Sequence, residues 1–385
     1  MKNEMKVLFI THYTSIYGAN IAMLSLMKCL RDRHGVVPFV LLPGYGDLEY
    51  VLKHEGIKYV VSGFVPSKQG QKMSVFKSLM KKIKTPYYYA RVFYRLKNEK
   101  FDIIHTNSSV INIGALLHLA LRKPHVWHLR EFGDGLDYHI YQNLGKSYER
   151  FVFNKGADRF IAISESIKEY YSDRITKVEV SRIYDGVPSV GRMVAKHSNR
   201  DVNFVCVGCL CGGKNQMQLI NASSILVNVL NVKDFRLNII GNGEVEYDLE
   251  LRKKVSEGGL EKYVNFWGYR TDVKNILAKM DVGVIASRSE GFGLVTVEYM
   301  LHGLPVLGTN AGATKELIKD GCNGFVFELD NAEDLANRMK YFIDNRPEIV
   351  KFGENGLQIA QTEYSVEKNA EAVYSCYKTV LGDEG

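Results

Sequence analysis

Ser289-Glu290-Gly291-Phe292-Gly293-Leu294-Val295-Thr296-Val297-Glu298 is the stretch on which the reading of this chain turns. Before it runs Asp281-Val-Gly-Val-Ile-Ala-Ser287, an apolar segment with the length of a short buried strand. Leu294 to His302 then reads as a helix start. One glutamate therefore sits at a strand end, and the other stands eight positions on, about one helical turn in. Between them, the free N–H groups of a helix N-terminus offer a site for an anion. A plainer account of the same residues is a strand–loop–helix connection with one solvated glutamate and one glutamate favoured by the helix dipole. The surrounding sequence has to separate the two.

Outward from this stretch, both halves of the chain alternate short apolar strands with amphipathic helices, the pattern of parallel sheets covered by helices. In the first half the expected strands are Val7–Thr11, Phe39–Leu42, Tyr59–Val61, Ile103–His105, His125–His128 and Arg159–Ile163. In the second they are Asn203–Gly208, Arg236–Gly241, Val264–Trp267, Val282–Ala286, Pro305–Gly308 and Gly324–Phe327. Helices over Ala19–Arg31, Gln216–Leu230 and Thr271–Lys279 fill gaps between them. Right-handed crossovers make each half a doubly wound sheet. The fold class is thus α/β, two Rossmann-like domains facing a central cleft. A turn-rich stretch, Gly186-Val-Pro-Ser-Val-Gly191 with the polar Lys196–Asp201 after it, divides them into 1–187 and 188–365. Ligands of such sheets bind beyond the carboxyl ends of the strands. At those ends stand His12, His105, Asn107, His128, Lys214, Asn242 and Glu290.

The chain has 385 residues, 46% hydrophobic and 24% charged, enough for about two domains with sizeable cores. No apolar run approaches the ~20 residues that span a bilayer. The start, Met1-Lys-Asn-Glu-Met-Lys, leads straight into a strand without the apolar core of a signal peptide, so the expected compartment is the cytoplasm. Six cysteines fit reduced thiols better than a disulfide framework. Cys206, Cys209 and Cys211 are close in sequence, but no second cluster completes a zinc site, and no metal is expected. Charge is unevenly spread. Residues 1–200 carry 31 Lys/Arg against 17 Asp/Glu, whereas 201–385 carry 19 against 26. The first half therefore faces something anionic.

Between residues 66 and 100 lie Lys68, Lys72, Lys77, Lys81, Lys82, Lys84, Arg91, Arg95, Lys97 and Lys100, with Glu99 as the one acid. Phe76, Tyr87, Tyr88, Tyr89, Phe93 and Tyr94 are interleaved with them. Basic residues among aromatic ones suit an anionic membrane surface, and also a solvated helix face. No nucleic-acid-binding motif accompanies the charge, so nucleic acid is not expected as a partner.

Gly208-Cys-Leu-Cys-Gly-Gly213-Lys214-Asn215 matches the G-x4-G-K part of a P-loop, with Asn215 where a magnesium-binding Ser or Thr should stand. A nucleotide triphosphatase is therefore a rival reading. The other is a glycine-rich strand–helix loop whose lysine reaches a ligand phosphate. Gly241-Asn-Gly243-Glu244 is a short turn after a strand, without the full dinucleotide fingerprint. Tyr17-Gly18-Ala-Asn20 joins the first strand to the first helix and would approach a diphosphate or an acceptor. In His125-Val-Trp-His128-Leu-Arg130-Glu131, His128 stands where it would meet a sugar hydroxyl or simply cap the strand.

Taken together, these residues resemble the retaining glycosyltransferases of family 4, which have the GT-B fold, over most of the chain from Phe9 to about Tyr377. Glu290-Gly-Phe-Gly-Leu-Val-Thr-Val-Glu298 is the family's E-x7-E signature. Gly303-Leu-Pro-Val-Leu307 and Asn310-Ala-Gly-Ala-Thr-Lys-Glu316 follow it. Ile161-Ala-Ile-Ser164, Ile183-Tyr-Asp-Gly-Val187, Val207-Gly-Cys-Leu210 with Lys214, and Ile240-Gly-Asn-Gly243 precede it in order.

The resemblance implies a catalytic set of His128, Glu290 and Lys214. Glu290 would contact donor-sugar hydroxyls and Glu298 the ribose of the nucleotide. Amides around Phe292, Gly293 and Leu294, with Lys214, would hold the diphosphate. Gly18, Gly208 and Gly243 would line the donor site, and His128 would lie beside the transferred sugar. Acceptor contacts fall to His105, Asn107, Arg130 and Glu131 by strand-end position. The C-terminal helix 366–381 would pack back on the first domain.

The implied reaction moves a hexose, with retention, from a nucleotide-diphosphate sugar to a glycan or lipid-linked glycan. Cell-surface polysaccharide synthesis at the inner face of a membrane is the implied setting, with no cofactor beyond the donor. Two departures stand out. Cys209 follows Gly208 where the family commonly has arginine, and the first loop has Tyr17-Gly18-Ala-Asn20 in place of a double glycine and an acid. A GT-B nucleotide-sugar epimerase and a silent nucleotide-binding protein remain alternatives.

Overall fold

A computed structural model describes residues 4–64, 75–133, 146–189 and 201–382, with the backbone alone over 75–85 and at 146. The chain divides into two compact units, one of residues up to Gly186 together with Val366 onward, the other Val187–Ser365.

The first unit holds a seven-stranded parallel sheet of β1 (Lys6–Ile10), β2 (Val37–Leu42), β3 (Lys58–Val61), β4 (Ile103–Thr106), β5 (His125–Leu129), β6 (Arg159–Ala162) and β7 (Val180–Arg182). Their spatial order is β3-β2-β1-β4-β5-β6-β7. Val7-Leu-Phe-Ile10 is wholly buried because both faces of the sheet are covered. Alternation sends Val7 and Phe9 into one core, with the helix Gly18–His34, and Leu8 and Ile10 into the other, with Val92, Leu96, Ile113 and Leu117. The C-terminal helix Val366–Leu381 belongs to this unit. Its Ala370, Val373 and Tyr377, spaced to share one helical face, are buried in the core of Phe9 and Ile103. Each large apolar side chain so buried contributes about 1.5–3 kcal/mol, which keeps the helix docked although it comes from the far end of the chain.

The second unit repeats the plan with β8 (Val202–Val207), β9 (Phe235–Ile240), β10 (Val264–Gly268), β11 (Val282–Ile285), β12 (Val306–Thr309) and β13 (Gly324–Phe327). The order is β10-β9-β8-β11-β12-β13, again all parallel. In both sheets the order reverses beside the first strand, between β1 and β4 and between β8 and β11. Crevices that bind ligands open beyond the carboxyl ends at such reversals. In the first unit those ends lead into His12, Asn107 and Arg130; in the second they lead into Gly208 and Glu290.

Several boundaries differ from the sequence reading. Val187, expected in the first domain, belongs to the second, where it bridges to Ser365 and donates to the Tyr364 carbonyl at 2.9 Å. β7 escaped notice because Val-Ser-Arg is three residues with no apolar alternation. The expected helix Gln216–Leu230 is α-helical only to Ser224; Ile225–Val229 is a π-turn, closed by Leu230 N–H on the Ile225 carbonyl at 3.0 Å. The helix expected over Thr271–Lys279 shrinks to Val273–Leu277, since Arg270 and Asp272 are tied together at 2.7 and 2.8 Å ahead of it. Of the basic aromatic stretch, Lys68 and Lys72 lie outside the described residues, as do Gly191 and Lys196 of the expected linker. Val75–Leu96 is helical, with Tyr87, Phe93 and Tyr94 exposed.

Candidate active site

In the second unit, Glu290 lies in the loop between β11 and the helix Leu294–Leu301. Its carboxylate Oε1 accepts from Lys214 Nζ at 2.5 Å and from Ser287 Oγ at 2.6 Å. Ser287 is itself fixed, because Thr309 Oγ1 donates to its carbonyl at 2.8 Å. Gly312 passes so close that a Cβ there would stand 2.6 Å from the Glu290 carbonyl oxygen, which also accepts from Ala313 N–H at 2.9 Å. Backbone and side chain of Glu290 are therefore held from both sides. Burial lowers the pKa of Lys214, but the charge and hydrogen bond of Glu290 outweigh it and hold the ammonium above its usual range.

Gly293 precedes the helix at φ +92°, a left-handed conformation that a side chain would strain. It offers no side-chain cap; its carbonyl takes the Thr296 amide at 2.9 Å, and no side chain caps the amides of Leu294 and Val295 among the described residues. Phe292 is buried and packs edge-on to Tyr364, with ring centroids 5.8 Å apart. Glu298 lies within the helix, half-buried, its carboxyl raised by burial while the charge of Lys274 pulls it the other way.

The stem of Lys214 runs beside Gly208, 3.9 Å from where a Cβ would be. Gly243 bridges to Leu210; a Cβ there would meet the Leu210 carbonyl at 2.1 Å. Gly208 and Gly243 thus bring two loops together around the root of Lys214. The P-loop reading finds little support in this geometry. Asn215 is left-handed at φ +54° and its amide is spent on Gln218 at 3.0 Å and Asp330 at 3.2 Å. Cys209 is exposed where the resemblance led to an expected arginine. Among the described residues no three His, Cys, Asp or Glu side chains gather as a metal site.

The first unit gathers a different set at the ends of β1, β4 and β5. Arg130 and Asp185 form a buried ion pair, their side chains 3% and 4% exposed, with Nη1 2.7 and 2.6 Å from the two carboxylate oxygens. Arg130 Nε donates to Asn107 Oδ1 at 2.7 Å, and Asn107 Nδ2 donates to the Ala19 carbonyl at 3.1 Å. Arg130 Nη2 is buried without a partner among the described residues. Glu131 accepts from Ser109 N–H at 2.8 Å and from Ser108 Oγ at 3.1 Å, and lies 4.0 Å from His12 Nε2.

His128 is fully buried, with Nδ1 3.3 Å from His105 Nε2, and Nε2 makes no hydrogen bond among the described residues. His105 Nδ1 lies 2.7 Å from the hydroxyl of Tyr377. Burial first, and the Arg130 charge second, push both imidazoles well below the usual histidine range, so both are neutral. Gly18 begins the helix Gly18–His34; two positions on, Asn20 braces the preceding loop, donating to the Tyr13 and Ser15 carbonyls at 3.0 and 2.8 Å.

His105 and Asn107, expected among acceptor contacts, are both 0% exposed with their polar atoms turned to neighbours inside the unit. As placed, they brace His128 and Arg130, and His128 itself is equally buried. A strand-end position does not distinguish a side chain that reaches the crevice from one that packs beneath it. Asp185, Tyr377 and Ser287 were missing from the candidate residues. Asp185 lay inside the quoted Ile183–Val187 run and had a signal; Tyr377, 272 positions from His105, had none.

Comparison with known proteins supports both units. Residues 16–189 match the family model described as Glycosyltransferase Family 4, and 201–345 match that of Glycosyl transferases group 1. The chain is 28% identical to an uncharacterized glycosyltransferase of Methanocaldococcus jannaschii, over 97% of this chain and 98% of that one. It is 27% identical to the UDP-Gal:alpha-D-GlcNAc-diphosphoundecaprenol alpha-1,3-galactosyltransferase of Escherichia coli, over 65% and 68%. The crystal structure of Anabaena HepE in complex with UDP and glucose superposes with a TM-score of 0.78 at 22% identity, covering 98% of this chain and all of that one. With two adjoining family matches and two parallel sheets of this order, the chain belongs to the group 1 and family 4 glycosyltransferases and has their GT-B fold.

Proposed function

We propose that this glycosyltransferase moves a hexose, with retention, from a nucleotide-diphosphate sugar to a glycan or lipid-linked glycan in cell-surface polysaccharide synthesis. The observation that carries the reading is the Lys214–Glu290 pair in the loop that leads into the helix Leu294–Leu301, whose N-terminus has no side-chain cap. A cation, a run of free N–H groups and a carboxylate are what a sugar diphosphate requires. In the free protein the two charges satisfy each other. On binding, Lys214 turns to the diphosphate and Glu290 to sugar hydroxyls, while Glu298 takes the ribose. Gly208, Gly243 and Gly18 leave room for the donor, and His128 touches the transferred sugar. Arg130 and Glu131 serve the acceptor side.

Departure of the diphosphate breaks the anomeric C–O bond and leaves the electron pair on a phosphate oxygen. Positive charge builds on the sugar ring as the acceptor oxygen attacks the same face, and its proton passes to the leaving phosphate. Lys214 and the helix amides are already aimed at the growing negative charge, which lowers the barrier without reorganisation. No metal ion takes part in this reading. Relatives support the donor class, since the Escherichia coli enzyme is named for UDP-Gal and a diphosphoundecaprenol-linked sugar, and Anabaena HepE was crystallised with UDP and glucose. Among the described residues no helix is long and apolar enough to cross a membrane. A cytoplasmic enzyme resting on an anionic membrane face through 68–100 fits the exposed Tyr87, Phe93 and Tyr94 and the basic residues among them.

The test is transfer from a panel of nucleotide-diphosphate hexoses to lipid-diphosphate-linked sugars, with and without EDTA, the anomer of the product being read by NMR. An EDTA-resistant product of the donor's own anomeric configuration is expected. An inverted product, or free sugar released equally without acceptor, would overturn it.

A further inference from the structure

Glu131 stands at the edge of the first unit's polar cluster with bonding capacity to spare. Its side chain is 20% exposed, against 3% for Arg130 beside it. A carboxylate accepts about four hydrogen bonds. Ser109 N–H gives one to Oε2 at 2.8 Å, and Ser108 Oγ, 3.1 and 3.2 Å from the two oxygens, has a single proton to give. Among the described residues, His12 is the basic side chain in ion-pair range, and its Nε2 is 4.0 Å away. Burial outweighs the attraction of Glu131 and holds His12 below the usual histidine range, so it does not neutralise the carboxylate. The Arg130 guanidinium is turned inward to Asp185 and Asn107. What is left is a fixed, partly exposed anion with about two acceptor positions free.

The loop that places His12 against Glu131 also carries an exposed aromatic ring. His12 packs edge-on to Tyr13, ring centroids 4.3 Å apart, and the Tyr13 hydroxyl donates to the Tyr17 carbonyl at 3.1 Å. That carbonyl also takes the amides of Asn20 and Ile21 at 2.8 and 3.1 Å, which locks the backbone of Tyr17 where the helix Gly18–His34 begins. Its ring is nonetheless 63% exposed. A tyrosine so anchored offers a large flat surface, polar at one end, at little cost in conformational entropy.

We propose that Glu131 and Tyr17 form an acceptor-sugar subsite, in which Glu131 accepts from hydroxyls of an uncharged sugar residue and Tyr17 covers the apolar face of its ring. A carboxylate near an aromatic ring also suits an organic cation. Residues 1–200, however, carry 31 Lys/Arg against 17 Asp/Glu, a field that repels one. His12 and Tyr13 are positioning residues that tie the loop to the carboxylate. That the sugar is the acceptor of transfer rests on the function proposed above; that a sugar binds here does not.

The full-length protein, labelled with 3-fluorotyrosine, is titrated under 19F NMR with the methyl glycosides of glucose, galactose and N-acetylglucosamine and, separately, with tetramethylammonium chloride, all without nucleotide. Tyr17→Phe removes one signal and so assigns it. The Tyr17 signal is expected to move saturably with at least one glycoside and not with tetramethylammonium. Glu131→Gln keeps the shape and removes the charge; it should weaken that response roughly tenfold, the scale of a hydrogen bond to a charged group. A Tyr17 signal unmoved by every glycoside, one moved by tetramethylammonium instead, or an equal response in Glu131→Gln would overturn the proposal. The wild-type titration decides even where Glu131→Gln fails to fold. In the transfer assay Tyr17→Ala should raise acceptor KM roughly three- to tenfold, the scale of one aromatic contact, against a smaller change in kcat. An unchanged acceptor KM would remove Tyr17 from the acceptor side. Glycoside binding without any transfer would defeat the transferase reading alone; transfer with an unmoved Tyr17 would defeat the subsite alone.

Discussion

The second unit gathers its candidate site from short stretches of sequence, whereas the first assembles its own from distant ones. Ser287, Glu290, Gly293 and Glu298 fall within a dozen residues, with Lys214 reaching them from another loop. The first unit brings Asn107, Arg130, Asp185 and Tyr377 together from four separate segments, nearly all of it buried. The second site presents a partly exposed charge pair; the first holds a buried ion pair and neutral histidines beneath its surface. A local site is tuned for chemistry at little cost to the fold. A dispersed, buried one ties its chemistry to the stability of the unit.

That contrast is open to attack, and the largest effect is expected at Asp185. Asp185→Ala leaves Arg130 buried without its carboxylate, which should destabilise the first unit by about 3–5 kcal/mol. The two tryptophans separate the units, since Trp127 lies in the first and Trp267 in the second. Urea unfolding followed in single-tryptophan variants should show the loss at Trp127; equal loss at both would make the two sites a single stability unit. In the second unit, Glu290→Gln should cost transfer about 100-fold or more, the scale of removing one transition-state contact, while moving stability little. A change in melting as large as that of Asp185→Ala would erase the distinction.

Acidification tests the same difference through histidines. His105, His125 and His128 are buried and neutral in the first unit, His125 being lowered to about 3. The unfolded chain protonates these rings near the ordinary value of 6.5 while the folded one does not. Stability is therefore full above that pH and falls as pH drops below it, by about 1.4 kcal/mol per pH unit for His125 until about pH 3. The Trp127 transition should shift more than that of Trp267 between pH 7 and 5; a larger shift at Trp267 would contradict the assignment. The smallest effect belongs to Cys209→Arg. An exposed cation restored there should tighten donor binding a few-fold, in keeping with about 0.5–1 kcal/mol for a surface charge, as read by calorimetry.

Much of the fold was legible because parallel strands buried on both faces are written as apolar runs, as in Val7–Ile10 and Val282–Ile285. β7 was missed for want of such a run. The strand–loop–helix arrangement of the second unit's candidate site was equally legible, since strand end, glycine and helix follow one another along the chain. Its bracing was less so: the approach of Gly312 to Glu290 depends on how two loops cross. In the first unit, strand-end position singled out His105, Asn107, His128 and Arg130, but not that all four are buried and hydrogen-bonded into one network. No local pattern announces that Tyr377 will dock on His105, because that contact exists only once the last helix folds back.

Donor binding to the wild type and to Lys214→Ala tests the central claim most directly. Melting of the full-length protein is followed through Trp267 with and without a UDP-hexose. A ligand that binds the folded state raises the melting temperature with its affinity. The account predicts a clear rise for the wild type that needs no magnesium and largely disappears in Lys214→Ala. An equal rise in both proteins would show that the sugar diphosphate is held elsewhere.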